Sequence, residues 1–95
     1  MELHEHLERV VDEKSFLEFA KALTEDKEEE DRKAKVNPPN PYGHGWNGWQ
    51  NATIAQFLES AVAWAEDSAF GAKMQQADNP WKKFALFLYA GKTYE

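Results

Sequence analysis

Apolar residues recur along this chain in stretches whose spacing matches the period of an α-helix, about 3.6 residues. Leu3, Leu7, Val10 and Val11 stand at i, i+4, i+7 and i+8, the narrow stripe of a first amphipathic helix of about three turns. The pattern restarts between Asp12 and Ser15. Ser15 and Glu18 then make an S-x-x-E capping box, which predicts a second helix from Phe16. Its core face is Phe16, Phe19, Ala20 and Leu23; the same face then carries Lys27 and Glu30, so core contact is expected to end near Leu23. Beyond it, charge pairs at i,i+4 (Glu28 with Arg32, Glu29 with Lys33, Asp31 with Lys35) are expected to sustain the last turns, each contributing about 0.2 to 0.5 kcal/mol.

A third helix is predicted from Ile54 to about Asp67. Thr53 and Gln56 form its capping box, and Gly71 is placed to end it or its following turn. Ile54, Phe57, Leu58, Ala61, Val62, Trp64 and Ala65 occupy one half of its circumference, wide enough to touch two neighbours, which predicts the central helix of a bundle. A fourth helix opens at Asn79-Pro80, a cap followed by proline at the first helical position, and is expected to stop at Gly91. Trp81, Phe84, Phe87 and Leu88 form its buried stripe, with Leu86 on the exposed side. The fold class is therefore all-α: a small bundle of about four helices in one domain, residues 1–95.

Between the second and third helices, Asn37 to Gly48 reads NPPNPYGHGWNG. Three prolines remove donors and fix φ, and three glycines permit conformations closed to other residues, so a long irregular loop is predicted. Large aromatics in such a loop either fold back on the core or face a partner. Tyr42, His44, Trp46 and Trp49 are the candidate partner-binding residues; Trp49, just before the third helix, is equally placed to close the core.

Composition narrows the chemistry. The chain has no cysteine, which excludes disulfides, thiolate nucleophiles and sulfur-ligated metal centres. No stretch is long and apolar enough to span a membrane, and the N-terminus lacks the basic and apolar regions of a secretory signal, so a cytoplasmic location is expected. Residues 1 to 36 hold 12 acids and 7 bases and carry most of the formal charge of −6. Their basic residues are interleaved with acids, against the clustered Lys and Arg that nucleic acid requires. A solvated helix face accounts for that acidity, and a basic partner surface is the functional alternative.

Side chains that carry chemistry are few. His4 and His6 are two apart, which on a helix points their rings away from each other, so no metal site is expected. Ser15 and Thr53 serve as caps, while Ser60 and Ser68 have no histidine nearby in sequence. The glycine loop lacks the Lys-Ser/Thr of a phosphate-binding loop, and no cofactor is implied. Glu59, Glu66 and Asp67 share a helix face that is ordinarily just solvated. Glu66 and Asp67 also oppose the dipole at the C-terminal end of the third helix. Asp67 is expected to cap a backbone or indole N–H in the following turn and to hold the bend from Ser68 to Gly71.

The combination of S-F-L-x-F at Ser15 to Phe19, W-x-N-x-T-I-x-x-F-L-E at Trp49 to Glu59, A-W-x-x-D at Ala63 to Asp67 and W-x-x-F-A-x-x-L at Trp81 to Leu88, ending Y-E, resembles a family of small uncharacterised bacterial proteins. The likeness covers nearly everything from Ser15 to Glu95 and implies no activity. Small acidic proteins of similar look often neutralise a partner protein, an analogy of size and charge. The expected function is a protein-interaction module, not an enzyme, acting on an unidentified protein partner as a monomer or homodimer. The alternative is a small-ligand binder or enzyme with a pocket under residues 37–48, using His44 and the Glu59, Glu66 or Asp67 carboxylates.

Overall fold

The computed structural model describes residues 1–36, 47–51, 53–70 and 79–94. The chain is all-α, with helices α1 (Leu3–Glu8), α2 (Glu13–Val36), α3 (Ile54–Asp67) and α4 (Pro80–Thr93) and no strand among the described residues. None of these helices is long and apolar enough to cross a membrane.

The start of α2 differs from the capping box expected at Ser15. Asp12 is the cap: its carboxylate accepts from the Ser15 amide at 2.9 Å, and Ser15 Oγ accepts in return from the amides of Val11 and Asp12. The reciprocal box is D-x-x-S, three residues earlier than S-x-x-E, because an aspartate accepts the N3 amide as well as a serine does. The Ser15 amide and hydroxyl, both donating to it, hold the Asp12 carboxyl below its ordinary pKa. The box also turns the chain after Val10, so α1 is only six residues long. Val10 is fully buried, whereas Val11, expected on the same stripe, is 66% exposed.

Lys82 closes the other end of α1. Its ammonium donates to the carbonyls of Leu7 and Glu8, both at 2.7 Å, where the helix leaves acceptors unpaired. Burial pushes the Lys82 pKa down, opposed by the nearby Glu8 carboxylate.

The helix that touches all three others is α4, not α3 as the apolar width of α3 suggests. Among the described residues, the helix on which α3 packs is α4. Phe19, Leu23, Val10, Trp49 and Ala85 form the buried cluster, with Leu3, Leu7, Phe16, Phe57, Trp81, Leu88 and Tyr89 packed around it. The small Ala85 and Ala90 lie buried on α4 where neighbours come close, while Phe84, expected inside, is half exposed and Leu86, expected outside, is half-buried. Nor does Gly91 end α4, which continues to Thr93. Its hydrogen lets the Phe57 ring approach: a Cβ at position 91 would stand 2.8 Å from that ring.

The far end of the α3/α4 pair is closed by aromatic rings. Phe70 stacks on Phe87 with centroids 5.6 Å apart and meets Trp64 edge-on at 5.8 Å. To reach them the chain takes two successive left-handed residues, Ala69 (φ 51°) and Phe70 (φ 57°). The bend is held by the Phe70 amide on the Ala65 carbonyl and by Ser68, whose amide and hydroxyl both donate to the Trp64 carbonyl. Among the described residues Asp67 caps no amide or indole of this bend. It accepts instead from the Tyr94 hydroxyl, fastening the end of α4 to α3. Gly71 lies outside the described residues.

Candidate interaction site

The segment entering α3 is fastened from both sides. Gly48, at φ 81°, turns the backbone so that the amides of Asn47 and Trp49 both donate to Glu30 Oε1, each at 3.2 Å. Two amides two positions apart make a small anion-binding concavity, here filled by the protein's own carboxylate. That pairing explains why Glu30 is 6% exposed although it follows the expected end of the core face on α2. The face stays buried past Leu23 because its later part is a polar contact with this segment. Asn47 adds a bond from Nδ2 to the Asp26 carbonyl and accepts from Lys33.

On the opposite side, Gln50 N donates to the Lys92 carbonyl at 2.9 Å, and Asn51 Nδ2 donates to the carbonyls of Gly91 and Tyr94, both at 3.0 Å. These are terminal acceptors of α4, so Asn51 caps that helix from outside it. Between the two anchors lies Trp49, 7% exposed. Its indole Nε1 donates to Asp26 Oδ2 at 2.8 Å, the oxygen that also takes Lys92 Nζ at 2.7 Å. The Lys27 and Lys92 ammoniums stand 5.8 and 5.6 Å from the centre of its ring. Phe57 stacks beside it, centroids 6.0 Å apart.

Because Trp49 stands as a wedge in the core, α2 and α3 do not pack on one another, and an open groove of about 670 Å³ remains between them. Leu23, Trp49 and Phe57 line it with Ile54 and Leu58 of α3 and Thr24, Lys27 and Glu28 of α2. Ile54 is 81% exposed, Leu58 49% and, continuing the line past the groove, Val62 47%. Spacing of four places these three on one face of α3. The apolar half of α3 is wide enough for two neighbours; among the described helices it receives α4 alone, and Ile54, Leu58 and Val62 face outward.

Acids border this surface. Glu28 stands on the α2 wall, while Glu59 and Glu66 follow Val62 around α3 at the i−3 and i+4 positions. All three are exposed, and none is in an ion pair among the described residues. Lys27 and Lys33, by contrast, are engaged with Asp31 and Glu29; the expected pairs Glu28 with Arg32 and Asp31 with Lys35 do not form.

A second concavity of about 570 Å³ is polar, lined by His4, His6, Glu25, Asp26, Glu29 and Lys92 among others. Its central groups are committed within the fold, Asp26 to Trp49 and Lys92, Glu29 to Lys33 and Asn47. No cluster of three His, Asp or Glu suited to a metal ion occurs among the described residues.

Of the four candidate binding residues, Tyr42, His44 and Trp46 lie outside the described residues. Trp49 lies within them and closes the core, 7% exposed, with part of its surface lining the groove. Ile54, Leu58 and Val62 were legible as apolar but not as exposed. The signal was the mismatch between the width of the α3 stripe and the number of helices left to cover it.

No curated protein and no solved structure matches the chain. A family model does, over residues 12–95, leaving out only α1 and the turn behind it. The chain therefore belongs to the DUF7660 family, a family of unknown function.

Proposed function

We propose that this protein is a protein-interaction module whose contact surface is the α2/α3 groove together with the exposed stripe of α3. One observation carries the reading: Ile54, Leu58 and Val62 form a continuous apolar line beside a groove floored by Trp49 and Phe57. Single exposed aliphatics are ordinary, but a contiguous patch with acidic edges is the usual form of a contact site. The floor is rigid because Trp49 is held by Asp26 and its flanking amides by Glu30 and Lys92, so binding there orders little that is not already ordered. In the polar cleft Asp26 is paired with Lys92 and Glu29 with Lys33, and the α2/α3 groove carries the reading instead. Activity as a neutralising partner is one form such a module takes.

Leu58→Ser tests the reading. The substitution removes apolar surface from the centre of the patch without touching the Trp49 contacts, so helix content and melting temperature should stay near those of the parent. Proteins captured from the native cell by the parent should be missing from the variant's catch. Identical catches would refute the assignment of this surface.

A further inference from the structure

Resting on that assignment, we infer that the occupant of the groove is an amphipathic helix of another protein carrying lysine or arginine along the edges of its apolar face. Shape argues for a helix: the walls are two helices held apart by Trp49, and the exposed residues of α3 repeat every four positions, the spacing at which a docked helix interdigitates. Charge argues for its flanks. Glu28 on one wall and Glu59 and Glu66 beyond the other are exposed carboxylates outside every ion pair of the described residues, and Lys27, the cation lining the groove, is bonded to Asp31.

The same charges argue against a second copy of this chain. The sequence of α3, IAQFLESAVAWAED, has three acids and no base. Two such helices laid face to face would set carboxylates against carboxylates across the seam. A basic amphipathic helix meets no such penalty, and its charged side chains reach acids on both edges while its apolar face covers Leu58 and Phe57.

A synthetic amphipathic helix of leucine and lysine is the probe, labelled for fluorescence anisotropy and titrated with the full chain. The controls are a scrambled peptide of the same composition and a leucine–glutamate helix of the same pattern. The lysine helix should bind at least about tenfold tighter than either control, with an affinity that falls as salt rises. Leu58→Ser and the triple variant Glu28→Gln, Glu59→Gln, Glu66→Gln should each weaken it about tenfold, the triple variant also flattening the salt dependence.

If both helices bind alike, Leu58→Ser abolishes binding and the triple variant changes nothing, the basic partner is refuted while the groove stands as the contact surface. Scrambled peptide binding as well as the helix refutes recognition of a helix. Binding by Leu58→Ser equal to that of the parent refutes groove and occupant together. Sedimentation of the parent as a dimer that Leu58→Ser splits into monomers would assign the surface to a second copy and overturn the inference.

Discussion

The indole N–H of Trp49 and the carboxylate of Asp26, 23 positions apart, meet at 2.8 Å, and the same Asp26 oxygen receives Lys92. One carboxylate thus ties together α2, the segment entering α3 and the last turn of α4. The pair is partly screened, since the Asp26 side chain is 22% exposed against 9% for Lys92.

Asp26→Asn should therefore destabilise the protein by about 2 to 3 kcal/mol, below the 3 to 5 kcal/mol of a fully buried pair, because Lys92 loses its counter-charge in a poorly hydrated place. Asp26→Asn combined with Lys92→Met should recover part of that loss, since the uncompensated charge goes with the lysine. Urea unfolding of the parent, both single variants and the double variant measures the coupling. A double variant whose loss is the simple sum of the two singles would show that the carboxylate and the ammonium act independently.

Tyr94 gives a pH dependence of defined sign. The hydrogen bond to Asp67, with burial and the carboxylate's charge, raises the Tyr94 pKa above its ordinary value. A group whose folded pKa is raised contributes stability that is fully present below its unfolded pKa, about 10 for tyrosine, and is lost as pH rises through the folded value. The end of α4 should thus stay fastened to α3 at neutral pH and let go only in alkali. Phenolate absorbance, taken as the difference between the parent and Tyr94→Phe, should show Tyr94 titrating late, and Asp67→Asn should bring its midpoint down. An unchanged midpoint in Asp67→Asn would remove Asp67 as the cause.

The position of Gly91 in the sequence suggests a stop signal, and its role in the structure is close approach. Alanine there gains about 1 kcal/mol in helix propensity, yet its Cβ would stand 2.8 Å from the Phe57 ring and overpacking costs about 1 to 3 kcal/mol. The expected result of Gly91→Ala is a small net loss of stability with Phe57 displaced from Trp49, and of Gly91→Val a larger one. Melting temperature reports the first effect, and the tryptophan near-ultraviolet circular dichroism reports the second. A Gly91→Ala protein more stable than the parent, with the tryptophan signal unchanged, would show that the ring yields freely.

What the chain disclosed in advance followed the range of each interaction. The Thr53/Gln56 box and the Asn79-Pro80 start depend on neighbours three residues away, and both stand as read: Thr53 accepts from the Gln56 amide, and Asn79 accepts from the amides of Trp81 and Lys82. The bounds of α3, Ile54–Asp67, follow from the same local signals. The core face of α2 runs past Leu23, where polarity does not mean exposure; Glu30 is buried by amides that arrive 17 and 19 residues later. The periodicity of α3 suggests a central helix, but periodicity reports how much of a helix is apolar, not how many neighbours come to cover it. The loop residues Tyr42, His44 and Trp46 lie outside the described residues, and the exposure of Ile54, Leu58 and Val62 is set by which helices pack on α3, which periodicity does not report.

Ala69 offers the test of strain at the end of α3. Its φ of 51° lies in the left-handed region, where an L-residue with a Cβ costs about 1 to 2 kcal/mol relative to the right-handed helix. Glycine adopts that region freely but brings greater entropy to the unfolded chain, which offsets about 0.4 to 1 kcal/mol of the relief. Ala69 is exposed, so its methyl group contributes little packing to be lost. Ala69→Gly should accordingly stabilise the protein by up to about 1 kcal/mol, raising the denaturation midpoint without changing its slope. Phe70, at φ 57°, has the same strain but owes its position to the rings of Trp64 and Phe87. Phe70→Gly should therefore destabilise, the lost stacking outweighing the relief, and opposite signs at adjacent left-handed residues would separate backbone strain from ring packing. Destabilisation by Ala69→Gly would mean that the bend is set by the aromatic cluster with no strain held at residue 69.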